Sequence, residues 1–279
     1  WPNLPVAGRY AYFAYLCEPF YPSFCQQNTV STHKNSAPNI MTNTPLKLLC
    51  RQVQEIAAQA GHFIRTEAGK VAPSDIQMKH HNNLVSYVDT TSEKMLVEAL
   101  AKLLPEAGFL TEENTVAQNQ NAALQWVIDP LDGTTNFLYQ LPSYAVSVAL
   151  LQHGRPVLGV VYEVNRSECF WAVKDHGAFL NQTPIYTSKV GQLPDALIGT
   201  GFPYYDFELI DAYTDILKTL MRNTKGIRRF GAAAVDLCYV ACGRFDAFYE
   251  HSLHPWDVSA GSLIVQEAGG VISDFSGGN

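Results

Sequence analysis

From Thr44 onward the apolar residues fall at helical spacing, with Leu46, Leu49, Val53, Ile56, Ala60 and Phe63 on one stripe. Thr44-Pro45 supplies an N-cap and a proline at the first helical position. Leu84 to Asp89 reads as extended, and Thr90 with Glu93 has capping-box spacing, which predicts a helix over Met95, Leu96, Ala99, Leu100 and Leu103. Asp89 then stands at a strand-to-helix junction. Apolar runs at 107–111, 126–129, 144–151, 157–164 and 168–173, each bounded by turn residues, predict sheet strands. Helical periodicity returns at 206–222, at 231–242 before Gly243, and at 255–268 before Gly269-Gly270. Strands are expected at 196–199, 245–249 and 271–275. This mixed order favours stacked α and β layers over a simple doubly wound sheet.

Residues 1–40 do not share these patterns. They hold 8 of the 32 aromatics, with Arg9, Glu18 and Lys34 as the only charged residues and five prolines interrupting any period. The segment is expected to be an extension outside the domain, disordered or artefactual, with the natural protein beginning at Met41. The chain has 279 residues, 47% of them hydrophobic, which is enough for a full core. Its net charge of -7 argues against nucleic acid as a partner, because that affinity rests on clustered Lys and Arg. An acidic chain can still hold a phosphate ester where cations and backbone N–H groups supply positive charge. Six cysteines show neither disulfide density nor Cys-x-x-Cys spacing, so a reducing, cytoplasmic setting is expected. No apolar run approaches the roughly 20 residues of a membrane span.

The densest chemistry lies in Trp126-Val-Ile-Asp129-Pro130-Leu131-Asp132-Gly133-Thr134-Thr135-Asn136. A buried strand is expected to end at Asp129, where the proline stops it. Asp129 and Asp132 across such a turn can bridge two hard cations, and the N–H groups of Gly133 and Thr134 can hold a phosphate oxygen. Taken alone, the spacing suits a solvated turn as well. Glu112-Glu113 after one strand and Asp257 in the first turn of a helix add carboxylates at element ends, where sites are assembled. Oxygen donors without His or Cys point to magnesium rather than zinc.

These residues carry a resemblance. Leu84 to Asp89, Thr111-Glu112-Glu113, Trp126 to Phe137, and His254-Pro-Trp-Asp257 through Gly270 are similar in order and form to the inositol monophosphatase family, over about Met41 to Asn279. The resemblance implies an αβαβα layered fold, a homodimer, lithium sensitivity and two to three Mg2+ per site. It implies Glu112, Asp129 and the Leu131 carbonyl as ligands of a first metal, Asp129, Asp132 and Asp257 of a second, and a third near Glu112. Thr134 with Asp89 would orient and help deprotonate the attacking water, with Glu112 also in the catalytic set. Asp132, Gly133, Thr134, Ala232, Ala233, Glu250 and Asp257 would contact substrate. Asn83 stands where the family often has aspartate, and Lys79 is a candidate neighbour of the phosphate. A terminal strand and helix that usually follow Gly277-Gly278 are missing, so the domain at 41–279 is expected to lack them.

The expected reaction is magnesium-dependent hydrolysis of a small polyol phosphate, inositol 1-phosphate above all. The alternatives are phosphatases of bisphosphate nucleotides, fructose bisphosphate or histidinol phosphate, or a regulatory relative that binds RNA or protein. Intact Glu112, Asp129, Asp132, Thr134 and Asp257 speak against a purely non-catalytic role. His251 and His254 border the site, but surface or packing roles suit them because the family chemistry does not require them.

Overall fold

The computed structural model describes residues 12–15, 43–80, 83–119, 122–203 and 206–275. In chain order, strand β1 (Tyr12–Tyr15) precedes helix α1 (Asn43–Glu67), the hairpin β2 (Gln77–His80) and β3 (Asn83–Val85), and helix α2 (Tyr87–Leu103). Strands β4 (Gly108–Thr111) and β5 (Leu124–Asp132), the short helix α3 (Thr134–Leu138), and strands β6 (Ala145–Gln152), β7 (Arg155–Glu163), β8 (Glu168–Val173), β9 (Ala178–Leu180) and β10 (Thr183–Ile185) follow. The last third contains β11 (Leu197–Thr200), α4 (Ile210–Asn223), β12 (Gly226–Arg228), α5 (Ala233–Ala241), β13 (Ala247–Glu250), α6 (Pro255–Glu267) and β14 (Val271–Ser273).

Strands β4 to β10 form one seven-stranded sheet in sequential order, with β4 and β5 parallel and the remaining pairs antiparallel. Helices α1 and α2 cover one face, where Val53, Ala57, Ile64, Leu96 and Leu100 pack with Trp126, Ile128, Val146 and Val148. The opposite face, with Val127, Ala149 and Val161, packs against Val235, Leu237, Val258 and Ile264 of α5 and α6. Because β5 is covered on both sides, every residue in it is buried, which is why its sequence runs apolar without alternation. The second sheet has the order β12-β11-β13-β1-β14, all parallel. Phe248 and Ile272 face α5 and α6, while Ile198 and Tyr249 face Tyr213 of α4. The layers therefore run helix, sheet, helix, sheet, helix, the αβαβα arrangement expected above.

Three local readings need correction. The helix over Met95 to Leu103 is capped by Ser86 rather than Thr90: Ser86 Oγ accepts from Val88 N at 3.2 Å, and Asp89 accepts from Ser86 N at 2.8 Å. Glu93 is released from capping and, fully buried, accepts from Thr111 Oγ1, Glu113 N and both Thr115 N and Oγ1 at 2.7–2.9 Å. The strand at Trp126 does not stop at Pro130 but continues to Asp132, because a bulge accommodates the residue that lacks an N–H. The segment before Met41 contributes β1 to the second sheet, where Phe13 lies opposite both Phe248 and Ile272. The facing edges of β13 and β14 each need hydrogen-bond partners, and an aromatic segment has the strand propensity to supply them. Residues 1–11 and 16–40, and the end at 276–279, lie outside the described residues.

Close packing sets the position of α6. A Cβ at Gly159 on β7 would fall 2.8 Å from the Ala260 carbonyl oxygen, so only glycine lets the helix sit this near the sheet. Glu93 supplies the testable point. Glu93→Gln replaces one acceptor oxygen with an amide NH2 facing hydrogen-bond donors, with an expected loss of about 2–3 kcal/mol of stability. Denaturant unfolding measures it, and an unchanged midpoint would exclude the role assigned to Glu93.

Candidate active site

The two aspartates of Asp129-Pro130-Leu131-Asp132 are brought to one side by the bulge. Asp129 lies opposite Ser147 and Asp132 opposite Ala145, so three steps along β5 match two along β6. In a regular strand residues three apart point to opposite faces, and the extra residue cancels that. Asp129 Oδ1 accepts from Leu131 N at 2.9 Å. Asp132 is held by the first turn of α5, through Ala234 N at 2.8 Å and Ala233 N at 3.2 Å.

Gly133 follows at φ 90°, a conformation that favours glycine, and a Cβ there would press on the Ser143 carbonyl oxygen. Its turn points Thr134 back at α2: Thr134 Oγ1 lies 2.8 Å from Asp89 Oδ1 and 3.0 Å from the Leu131 carbonyl oxygen. Asp89 is buried, and its second oxygen accepts from Ser86 N and Ser86 Oγ at 2.8 and 2.7 Å. Burial raises its pKa against these bonds, so the carboxylate is more basic than an exposed aspartate.

Glu112 leaves the end of β4 on the loop that Glu93 gathers. Asp257 sits in the first turn of α6, where its Oδ2 accepts from His254 N at 2.6 Å. Glu112, Asp129, Leu131, Asp132, Gly133, Thr134, Ala233, Glu250 and Asp257 line one cleft. Asp89 lies behind Thr134, and Ala232 is buried beneath Gly133, so these two sequence-derived candidates support the wall without lining it. The side chain of Lys79 lies outside the described residues.

Electrostatics binds the set together. Burial, then the charges of Glu112, Asp132 and Asp257, hold Asp129 well above the ordinary carboxylate range. Burial and Glu112 raise Asp257 in the same way, and burial pushes Asp132 up to about 7. Glu250 is pushed up to about 8 by burial, with Arg229 opposing. Four hard, mutually repelling oxygen donors on one cleft have the chemistry that suits divalent cations such as magnesium. Among the described residues, no group of three or more His, Cys, Asp or Glu side chains stands as a metal cluster by itself, so carbonyl, water and substrate oxygens would complete the shell of any ion held here.

Several residues of the site were not found from sequence. Ser86 has its own signal, since Ser86-x-x-Asp89 is capping-box spacing four residues ahead of Thr90-x-x-Glu93. Gly201 had none: a Cβ there would overlap the Glu250 carboxylate, which lies directly over the glycine. Asp236 on α5 is buried with no hydrogen-bond partner for either oxygen among the described residues, and burial and Glu250 raise its pKa well above normal.

The sequence model of the inositol monophosphatase family matches residues 47–279. Nus factor SuhB of Escherichia coli (strain K12) is 40% identical over 223 residues, 80% of this chain and 84% of that protein. Extragenic suppressor protein suhB from Bartonella henselae has a similar structure, with a TM-score of 0.78 and 39% identity over 83% of this chain and 89% of that one. Inositol monophosphatase from Anabaena (Nostoc) sp. PCC 7120 gives 0.71 and 35% over 80% and 82%.

The raised carboxyls predict a pH dependence. Asp132 near 7 and Glu250 near 8 keep protons in the folded chain that the unfolded chain releases above about pH 4. Their contribution is fully present below that value and is lost as pH rises through the folded pKa values. In chelator, Tm should therefore fall between about pH 5 and 8, and magnesium should flatten the decline by favouring the charged forms. A Tm in chelator that rises over this window would contradict the burial of these groups.

Proposed function

This chain belongs to the inositol monophosphatase family, and from that premise we propose that it hydrolyses the phosphate monoester of a small polyol, with inositol 1-phosphate the best fit, to the free alcohol and phosphate. The observation that carries the reading is the gathering of Glu112, Asp129, Asp132 and Asp257 on one cleft with the hydrogen-bonded Asp89–Thr134 pair at its base. Glu112, Asp129 and the Leu131 carbonyl would hold a first magnesium, Asp129, Asp132 and Asp257 a second, and Glu112 would lie near a third. When bound, these ions would neutralise the phosphate charge and acidify water.

The chain's own groups then divide the remaining work. Thr134 Oγ1 takes the proton of the attacking water while its own proton passes to Asp89 Oδ1, for which raised basicity is an advantage. The N–H groups of Gly133 and Thr134 bind phosphate oxygens and fix the line of attack. Glu250, across the cleft and seated over Gly201, receives the alcohol portion and its hydroxyls. No covalent phosphoenzyme enters this scheme, and the nucleophile is water. The setting proposed is a cytoplasmic homodimer; no described helix is long and apolar enough to cross a membrane.

The name Nus factor carried by the Escherichia coli relative favours a second reading, a regulatory role beside hydrolysis or in its place. Phosphate release separates the two. Inositol 1-phosphate, adenosine 3′,5′-bisphosphate, fructose bisphosphate and histidinol phosphate, each with magnesium, form the panel. Inositol 1-phosphate is expected to be preferred, and Asp129→Asn is expected to lower kcat/KM at least about 100-fold with the fold retained. Near-normal turnover in Asp129→Asn would overturn the metal-holding role assigned to Asp129, and no turnover of any ester by the wild type would leave only the regulatory reading.

The seat of Glu250 gives a separate test of the alcohol side. Gly201→Ala forces the Glu250 carboxylate to move, and kcat/KM for inositol 1-phosphate should fall about ten-fold or more, with a smaller loss on p-nitrophenyl phosphate. Equal losses on both esters would make Glu250 a structural residue.

A further inference from the structure

Two residues beyond Glu250, Ser252 holds φ at 65°, in the left-handed region that favours glycine. Of the seven described non-glycine residues at positive φ, Ser252 is the one that lines the cleft. Strain of this kind in a site wall persists where the side chain has a use. The hydroxyl has a defined setting: Ser252 Oγ lies 2.5 Å from His251 Nδ1, and His251 Nε2 lies 3.8 Å from the Asp206 carboxylate. Both Ser252 and His251 are largely buried.

A neutral imidazole carries its proton on one nitrogen, and the partner of each nitrogen decides which. The Asp206 carboxylate facing Nε2 favours the tautomer protonated there, which leaves Nδ1 as an acceptor. The Ser252 hydroxyl then donates to Nδ1, which turns its hydrogen toward the ring and presents its oxygen as an acceptor. Glu250 and Ser252 line the same cleft two positions apart in the chain, so two hydroxyl-reading groups stand together on the alcohol side.

We propose that Ser252, oriented by His251 and Asp206, accepts a hydrogen bond from a second hydroxyl of the substrate, beside the one received by Glu250, and so selects esters whose alcohol carries adjacent free hydroxyls. The proposal rests on the polyol phosphatase reading above and adds a specificity-determining residue to it. His251 and Asp206 act through Ser252 and are positioning residues. Water activation is left to Thr134 and Asp89.

Ser252→Gly is the informative variant, because it removes the hydroxyl while relaxing the backbone, so the fold is retained and Tm should not fall. Steady-state kinetics in magnesium would compare inositol 1-phosphate, its monodeoxy analogues and p-nitrophenyl phosphate. The expected result is a loss of about ten-fold in kcat/KM for inositol 1-phosphate, the value of one hydrogen bond, expressed mainly in KM and at least several-fold larger than the loss on the aryl ester. One monodeoxy analogue should already show that loss with the wild type and lose nothing further in the variant. His251→Phe should produce the same selective rise in KM to a lesser degree. Equal losses on both esters, or none, in an enzyme whose wild type turns over inositol 1-phosphate would overturn the role of Ser252 alone. Turnover of the aryl ester with no polyol phosphate hydrolysed by the wild type would overturn the proposed function and this inference with it.

Discussion

Acidic side chains that repel one another must be kept side by side and out of water, and the rest of the architecture answers that constraint. A buried carboxylate without partners is costly, and several together are worse. Asp89, Asp129, Asp132 and Asp257 each accept at least one backbone N–H, from Ser86, Leu131, Ala233 with Ala234, and His254 respectively. Three of these four carboxylates are held at helix starts, where N–H groups are unpaired and carboxylates are favoured. The same bonds that offset desolvation also fix where the oxygens point.

Gathering such termini requires the layers to be packed closely and in one register. Gly159 seats α6 against the first sheet, which brings Asp257 toward the end of β5. Glu93 draws in the loop after β4 and with it Glu112. Neither residue reaches the cleft, yet each determines where a carboxylate that does reach it will stand. Stability and chemistry are thus coupled through residues that a list of site contacts would omit.

Much of this was legible from sequence, because it depends on local signals. The strands from β4 to β8 are continuous apolar runs, α6 opens with Pro255 and closes near two glycines, and the Asp129–Thr134 segment has few other uses for its composition. What escaped depends on distant partners. Glu93 could be read as a cap because a capping box is a local pattern, whereas its real partners are about twenty residues away. Pro130 could be read as a strand end because the neighbouring strand that absorbs the bulge is not visible in a one-dimensional pattern. The strand at Tyr12 pairs with segments more than 230 residues distant, and no periodicity in four residues could announce that.

The bulge in β5 also governs which changes of chain length the protein can tolerate. Surface loops accept insertions and deletions at little cost because nothing counts their residues. Between Asp129 and Asp132 the residues are counted, because the extra position lets three steps along β5 match two along β6. Adding a single residue there would set four steps along β5 against three along β6 and send one aspartate to the opposite face of the sheet, into the apolar layer beneath α1 and α2. An aspartate can be replaced by a similar side chain and leave a weakened centre, but a gained codon in this segment dismantles the centre and the core together. Descendants of this gene should therefore vary in the spelling of these positions before they ever vary in their number.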